Sequence, residues 1–276
     1  MSESCSDSAC SSCASAGTCS SAPKSLLAEA HPSANIQHVI AVMSGKGGVG
    51  KSSVAALLAT HLQQAGYRVG LLDADITGPS IPKMFGITGK LKPHPAGMLP
   101  NTSSNGIKVM SINLLLENED DPVIWRGPVI GGVIRQFWTD VLWGDLDYLL
   151  VDLPPGTGDA PLTVMQSLPL EGIVIVTSPQ DLALMVVKKA IKMAQAMEKP
   201  ILGVIENMAY ALCPHCGERL DLFGASKTAE VVAELGYPFL GSLPLDPQIA
   251  TLCDQGRIED LQSPLFAQAV QTITRG

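Results

Sequence analysis

The feature that most constrains the fold is a glycine-rich segment that directly follows a short apolar run. Residues 45–52 read GKGGVGKS, which fits G-x-x-x-x-G-K-[ST] and argues against a glycine-rich turn that binds nothing. Glycines let backbone N–H groups converge on phosphate oxygens, and the N-terminus of the following helix adds positive charge. We expect Lys51 to reach the β and γ phosphates of a nucleotide and the Ser52 hydroxyl to ligate Mg²⁺. The predicted nucleotide-binding residues in this segment are Gly45, Lys46, Gly47, Gly48, Val49, Gly50, Lys51, Ser52 and Ser53.

Short apolar runs alternate with helical patterns from His38 onward. The runs predict buried strands at His38–Ser44, Arg68–Asp73, Lys108–Asn113, Tyr148–Leu153, Gly172–Ser178, Ile201–Asn207 and Pro238–Leu243. The helical patterns lie at Lys51–Gln64, Val129–Leu142, Ala160–Ser167, Leu182–Glu198, Ser226–Leu235 and Pro264–Arg275. This alternation predicts an α/β fold, a single Rossmann-like P-loop NTPase domain whose mostly parallel sheet is flanked by helices. Ligands of such sheets bind at the carboxyl ends of the strands.

Three zones follow one another along the chain. Residues 1–24 are rich in Ser, Ala and Cys, show no hydrophobic period and are expected to stay disordered without a ligand. Residues 25–37 are interpreted as a linker, and residues 38–276 as the ATPase domain. The 276 residues of the chain are close to the upper limit for one hydrophobic core.

The charge distribution argues against nucleic acid and membrane partners. The net charge is −8, and the 18 Lys and Arg residues form no run longer than two. No stretch reaches the roughly 18 apolar residues of a membrane span, and residues 1–19 lack the apolar core of a secretory signal. We therefore expect a cytoplasmic protein whose seven cysteines are metal ligands or reactive thiols rather than disulfides.

Carboxylates follow two of the predicted strands. Asp152 ends one strand, and Asp73 and Asp75 lie at the end of another. A carboxylate at this edge, beside a phosphate loop, can hold Mg²⁺ through a water molecule. We interpret Asp152 in this way, and for both Asp152 and Asp75 the alternative is capping of strands or helix N-termini. We expect Asp73 to be structural. The glycine- and proline-rich residues 153–159 are typical of a loop that moves when the γ-phosphate is lost.

The phosphate loop resembles the deviant P-loop of ATPases related to MinD, ParA and the nitrogenase iron protein, because Lys46 adds a second lysine inside it. Members of that family dimerise face to face around nucleotide. The resemblance implies that Lys46 contacts the phosphates of ATP bound by the partner chain, and the alternative is a solvated surface lysine. It also implies that Asp75 orients the attacking water. Asn207 matches the asparagine that contacts the base, with an ordinary turn residue as the alternative.

Two cysteines form a C-x-x-C motif in the sequence CPHC, shortly after Asn207. Cys213 and Cys216 cannot by themselves complete a tetrahedral zinc site or a four-cysteine cluster. A redox pair, a zinc site and a structural loop are open alternatives. We favour a fourth arrangement, in which a two-fold dimer brings two pairs together on its axis and supplies four thiolates to one shared cluster.

Four segments occur in the order typical of the Mrp/ApbC/Nbp family. They are GKGGVGKS, WRGP at residues 125–128, DLPPGTGD at 152–159 and CPHC at 213–216, and the likeness covers roughly residues 36–250. The resemblance implies an iron–sulfur cluster carrier and scaffold that hydrolyses ATP. It implies a labile [4Fe–4S] cluster held at a homodimer interface by Cys213 and Cys216. It also implies transfer to apo iron–sulfur proteins and contact with cluster assembly factors.

The N-terminal cysteines are similar to an extension found in the Nbp branch of that family, which holds a second cluster. Cys10, Cys13 and Cys19 match the spacing of the last three ligands in that branch. Cys5 departs from it, because only four residues separate it from Cys10 where the branch has a longer spacer. The resemblance implies a second [4Fe–4S] cluster on these four residues, and the alternatives are a zinc knuckle and a disordered tail.

Two other functions remain open from the sequence. One is a ParA- or MinD-like positioning ATPase that binds DNA or membrane, which calls for a basic face or an amphipathic terminal helix. The terminal helix predicted at Pro264–Arg275 has Arg275 as its single basic residue and is a poor membrane anchor. The other is a zinc-stabilised regulatory ATPase without cluster chemistry.

Overall fold

The structure, a computed structural model, describes residues 27–76, 78, 80–116 and 127–274. The cysteines of the N-terminal extension and the start of the WRGP segment lie outside the described residues. These are Cys5, Cys10, Cys13, Cys19, Trp125 and Arg126. No helix in the described ranges is long and apolar enough to cross a membrane.

The strands form a mostly parallel sheet around the segment that leads into the phosphate loop. The strands are β1 (Asn35–Ser44), β2 (Val69–Asp73), β3 (Lys92–His94), β4 (Gly97–Leu99), β5 (Asn101–Thr102), β6 (Lys108–Met110), β7 (Asp145–Asp152), β8 (Gly172–Thr177), β9 (Ile201–Leu212), β10 (Arg219–Leu220) and β11 (Phe239–Pro244). Their order across the sheet is β5-β6-β2-β7-β1-β8-β9-β11. Within it, β5 is antiparallel to its neighbour β6, and β10 pairs antiparallel with the far end of β9. The two strands β3 and β4 form a separate small hairpin.

Helices cover both faces of the sheet. They are α1 (Lys51–Gln64), α2 (Ile81–Met84), α3 (Gly127–Thr139), α4 (Asp159–Ser167), α5 (Asp181–Ala196), α6 (Thr228–Glu234), α7 (Pro247–Asp254) and α8 (Pro264–Ile273). One apolar core lies between the sheet and α1 with α8, and a second lies between the sheet and α3, α4 and α5. Because both faces are covered, β2 and β8 are buried at every position, which explains their continuous apolar runs. The predicted fold class is confirmed.

The chain already contacts the helices of the domain upstream of the predicted start of the sheet. The first strand begins at Asn35 rather than at His38. Ala28, within the predicted linker, is buried: its N–H donates to the Ser167 carbonyl, and its own carbonyl accepts from the Trp138 indole. These contacts hold the chain at Ala28 against α3 and α4.

The strand predicted at Lys108–Asn113 was too long, because β6 ends at Met110. A 3-10 turn follows at Ile112–Leu114. The Ser111 hydroxyl donates to Asp73 Oδ2 over 3.1 Å, which draws the chain toward β2. The sequence also did not predict α7, whose first turn is capped by Asp246 accepting from the Gln248 N–H.

Candidate functional site

The phosphate loop lies at the carboxyl edge of the sheet, near its centre. It connects the end of β1 at Ser44 with the start of α1 at Lys51, and β1 is flanked by β7 and β8. Gly48 and Gly50 have φ angles of 79° and 76°, in the left-handed region that favours glycine. The strand–loop–helix context expected from the sequence is therefore present.

Two neighbouring elements pack so closely on this loop that a side chain would not fit at two of its glycines. A Cβ on Gly45 would overlap the Val186 side chain of α5 and lie 2.7 Å from the Val186 carbonyl oxygen. A Cβ on Gly50 would overlap the amide nitrogen of Asn207 on β9. The glycines thus permit close approach of α5 and β9 to the loop, in addition to the access that they give to phosphate.

Lys51, Ser52 and Asp152 form one hydrogen-bonded group at the base of the loop. Lys51 Nζ lies 2.6 Å from Asp152 Oδ1, and Ser52 Oγ donates to Asp152 Oδ2 over 2.5 Å. Asp152 is completely buried, and burial raises the pKa of its carboxyl while the positive charge of Lys51 opposes that rise. A buried carboxylate beside an ammonium group and a hydroxyl is the donor set expected for a phosphate and Mg²⁺ site.

The two carboxylates after β2 have different surroundings. Asp75 Oδ2 lies 3.8 Å from Lys51 Nζ and borders the phosphate loop. Asp73 is buried and accepts hydrogen bonds from the Ser111 hydroxyl and from the backbone N–H groups of Asp75 and Ile81. Burial, together with the nearby charge of Asp152, raises the pKa of Asp73 to about 8. Asp73 thus holds the segment that carries Asp75.

Two cavities flank the start of α1. The first, of about 260 Å³, is lined by Gly47, Gly48 and residues 50–53 together with Asp75 and Pro155. The second, of about 130 Å³, lies on the other side of Ser53 and is lined by Asn207, Met208 and the segment 244–246. The first is bordered by the ammonium, hydroxyl and carboxylate groups of Lys51, Ser52 and Asp75, which phosphates and Mg²⁺ need, and the second is mostly apolar, as a flat base requires.

The side chains of Asn207 and Lys46 both bind within their own chain. Asn207 is buried, and its amide donates to the Val49 carbonyl oxygen over 2.9 Å. Lys46 Nζ donates to Gln180 Oε1 over 2.6 Å, at the start of α5. The structure therefore places Asn207 against the phosphate loop, beside the apolar cavity, and Lys46 against the residue that precedes α5.

The two cysteines of the C-x-x-C motif lie at the tip of the hairpin between β9 and β10. The Cys213 N–H donates to the Glu218 carbonyl, and the Gly217 N–H donates to the Cys213 carbonyl. Backbone N–H groups of Cys216 and His215 point at the Cys213 sulfur and lower the pKa of its thiol. Cys216 is exposed, and Cys213 is partly so. The tip thus presents two thiols, one of them poised to ionise, to the surroundings.

Among the described residues, Cys213 and Cys216 are the two thiols at this tip. Within the described ranges no group of three or more His, Cys, Asp or Glu side chains gathers in a way that could hold a metal ion. Cys253 lies elsewhere, half-buried on α7, and burial raises the pKa of its thiol. The pair at the hairpin tip therefore needs ligands from outside the described part of the chain to complete a four-coordinate site.

Several residues that shape the site were not predicted from the sequence. They are Gln180, which binds Lys46; Val186, which closes on the loop; and Glu206, a buried carboxylate next to Asn207. A charged residue inside an otherwise apolar strand was the one available signal for Glu206, since charged side chains are rarely buried without partners. No local pattern marks the other two.

Comparisons with known proteins agree with this geometry. The family model described as ParA, NUBPL iron-transfer P-loop NTPase, matches residues 35–275. An iron-sulfur cluster carrier protein from Methanocaldococcus jannaschii is 48% identical over 257 residues, covering 91% of this chain and 88% of that protein. Another protein of that name, from Clostridium perfringens, is 46% identical over 275 residues, covering 94% and 96%.

Solved structures show the same fold. A nucleotide-binding protein from Archaeoglobus fulgidus in complex with ADP superposes with a TM-score of 0.76 at 50% identity, covering 84% of this chain and 91% of that one. The cell division ATPase MinD from Pyrococcus furiosus superposes with a TM-score of 0.62 at 20% identity, covering 86% and 98%. The second likeness concerns the fold alone.

Proposed function

Because this chain belongs to the ParA family of NUBPL iron-transfer P-loop NTPases, we propose that it is an ATP-dependent iron–sulfur cluster carrier. Two copies share one labile [4Fe–4S] cluster, held by Cys213 and Cys216 of each. The cargo passes to apo iron–sulfur proteins in the cytoplasm, with cluster assembly factors as further partners.

The observation that carries this proposal is the path of β9. Asn207 on this strand contacts the phosphate loop through the Val49 carbonyl, and Cys213 follows six residues later along the same strand and its hairpin. At about 3.3 Å per residue, roughly 20 Å of chain joins the two sites. One strand thus connects a nucleotide-binding loop to an exposed pair of thiols.

Nucleotide binding and hydrolysis use the group around Lys51. Lys51 binds the β and γ phosphates, while the Ser52 hydroxyl and the Asp152 carboxylate fit Mg²⁺, which neutralises charge on the phosphate oxygens when bound. Asp75 orients a water molecule whose oxygen attacks the γ-phosphorus as the bond to ADP breaks. Lys46 reaches the phosphates of ATP in the partner chain, which requires it to leave Gln180. Asn207 and the cavity beside Ser53 hold the base.

Four thiolates are required for one cluster, and the hairpin supplies two. A two-fold axis through the hairpin tips brings two equivalent pairs together without any further ligand. The lowered thiol pKa at Cys213 favours the thiolate that binds iron. Cys5, Cys10, Cys13 and Cys19 hold a second [4Fe–4S] cluster in the N-terminal extension.

Anaerobic reconstitution with iron and sulfide tests this function. We expect the wild-type protein to bind iron and sulfide at both sites, to sediment as a dimer and to activate an apo-acceptor. Cys213→Ala/Cys216→Ala should lose the cluster-dependent dimer and the transfer while keeping the N-terminal iron and ATP hydrolysis. Cys253→Ala is the matched control and should transfer normally.

The same preparation separates the alternatives. Unchanged transfer by the double variant would exclude the proposed role of the pair. Zinc in place of iron and sulfide at the hairpin would support a zinc-stabilised ATPase instead. Nucleotide-dependent cosedimentation with DNA or liposomes would support a positioning ATPase.

A further inference from the structure

Glu206 is a buried carboxylate that the functions assigned above do not use. It is 1% exposed and accepts hydrogen bonds from three hydroxyl groups: those of Ser226, Thr228 and Ser242, the last over 3.0 Å. A charge taken out of water is tolerated where such donors surround it. The three hydroxyls therefore hold Glu206, and the segments that carry them, in one arrangement.

The three donors come from two different parts of the chain. Ser242 lies on β11, directly beside Glu206 in the register of β9 and β11. Ser226 and Thr228 lie just after the cysteine hairpin, 20 and 22 residues beyond Glu206. The excursion that carries Cys213 and Cys216 thus continues β9 beyond Glu206 and returns to the same carboxylate.

The residues that follow Glu206 contact the phosphate loop. Asn207 donates to the Val49 carbonyl over 2.9 Å, and its amide occupies the space that a side chain at Gly50 would need. Met208 has a φ of 56°, a conformation that a residue with a side chain seldom adopts. Because successive side chains of a strand point to opposite faces, Asn207 can reach the loop while Glu206 reaches the hairpin base.

We propose that Glu206 is a positioning residue that couples nucleotide binding at the phosphate loop to the cysteine pair. A shift of the Val49 carbonyl displaces Asn207, and Glu206, one peptide unit away, passes the displacement to Ser226 and Thr228. Both ends of the hairpin excursion then move together, which changes the presentation of Cys216. This coupling rests on the proposed function, since it assigns a route by which ATP binding at the phosphate loop affects the proposed cluster site.

The test measures how fast the two thiols are alkylated in the reduced, full-length protein. Tandem mass spectrometry, which distinguishes the two cysteines within one peptide, gives the rates at Cys213 and Cys216 with and without Mg²⁺ and a non-hydrolysable ATP analogue. In the wild type we expect nucleotide to change the rate at Cys216 by about fivefold or more, the lower end of typical coupling between two sites.

A matched pair of variants separates coupling from support of the fold. Ser226→Ala/Thr228→Val removes the donors on the hairpin side, whereas Ser242→Ala removes the donor on β11 from the same carboxylate. We expect the first variant to bind the analogue normally and to lose the nucleotide-dependent change, and the second to keep both. If the double variant does not fold, Ser226→Ala alone should reduce the change.

Three results would overturn the coupling. The first is that nucleotide does not change the alkylation rate of Cys216 in the wild type. The second is that the full change persists in Ser226→Ala/Thr228→Val, and the third is that Ser242→Ala loses as much of the change as that variant does. The assay uses protein without cluster, so its outcome is independent of the iron and sulfide content that tests the carrier function. If nucleotide changes the alkylation rate but the protein does not hold or transfer a cluster, the carrier function is refuted. The role of Glu206 in coupling the phosphate loop to the cysteine pair would stand.

Discussion

Lys51 and Asp152 form an ion pair from which water is almost entirely excluded, with Nζ 2.6 Å from Oδ1. The two residues are 101 positions apart and meet because β1 and β7 are neighbours in the sheet. The lysine that is proposed to bind phosphate therefore also neutralises the carboxylate at the base of the site.

We expect Lys51→Met to lower the free energy of unfolding by about 3 kcal/mol, because the buried carboxylate loses its countercharge. Lys51→Met/Asp152→Asn should recover most of that loss, since the amide needs no countercharge. Urea unfolding without nucleotide or Mg²⁺ measures both. Lys192→Met, at an exposed position of α5, is the control and should change stability by less than about 0.5 kcal/mol. If Lys51→Met were as stable as the wild type, Asp152 would not depend on Lys51 as its countercharge.

The raised pKa of Asp73 predicts that the protein becomes less stable as the pH rises. The folded state keeps a proton on Asp73 up to about pH 8, while the unfolded chain releases it above about pH 4. The free energy of unfolding should therefore fall between pH 6 and pH 8, by roughly 1 kcal/mol per pH unit from this group, and level off above.

Urea unfolding of wild type and Asp73→Asn at pH 6, 7 and 8 measures this contribution. The amide does not titrate, so the stability difference between the two proteins should shift in favour of Asp73→Asn as the pH rises. Asp254→Asn, at an exposed position on α7, should keep the wild-type slope. Parallel curves for wild type and Asp73→Asn would show that Asp73 ionises normally.

Gly45 and Gly47 should respond differently to the same substitution. A Cβ on Gly45 would overlap Val186, whereas one on Gly47 would lie 4.0 Å from Pro155 Cβ, an ordinary contact. We expect Gly45→Ala to destabilise by about 2 kcal/mol through displacement of α5, and Gly47→Ala by less than about 1 kcal/mol. Thermal unfolding of both variants gives the comparison. Equal melting temperatures would mean that α5 does not pack on the loop.

We expect the thiol of Cys213 to ionise at a lower pH, and that of Cys253 at a higher pH, than an ordinary cysteine thiol. Backbone N–H groups lower the pKa of Cys213, and burial raises that of Cys253. In cluster-free protein, we expect the alkylation rate of Cys213 to reach its half-maximum at a lower pH than that of Cys253. Peptide-resolved alkylation between pH 6 and pH 10 measures both in one sample. The reverse order would remove the electrostatic reason for Cys213 as a metal ligand.

Much of the fold could be predicted because its signals are local. The helix at Lys51–Gln64 was predicted to the residue, since glycine ends the loop and apolar residues follow at once. The strand boundaries were less accurate where a side chain from another element decides them. Ser111, directly after β6, binds Asp73, and Ala28, upstream of β1, binds Ser167.

In the candidate site, too, some residues could be predicted from the sequence and some contacts could not. The phosphate loop, Asp75, Asp152 and the cysteine pair stand out as motifs whose residue types and spacing carry their chemistry. The Gln180 contact with Lys46 and the position of Asn207 against Val49 do not. They depend on how closely α5 and β9 approach the loop, which no periodicity encodes.

The amino-acid sequence by itself determined the alternating α/β class, the phosphate loop and the two thiols three residues apart, because each follows from the conformational and chemical preferences of adjacent residues. The tertiary structure alone decided that Asp152 faces Lys51 and that Glu206 gathers hydroxyls from beyond the hairpin and from β11. The reason is the strand order: β7 lies between β1 and β2, and β9 between β8 and β11, so residues far apart in the chain meet at one edge. Burial there raises the pKa of Asp73 and of Asp152, so the charge of each of these two carboxyls depends on its neighbours.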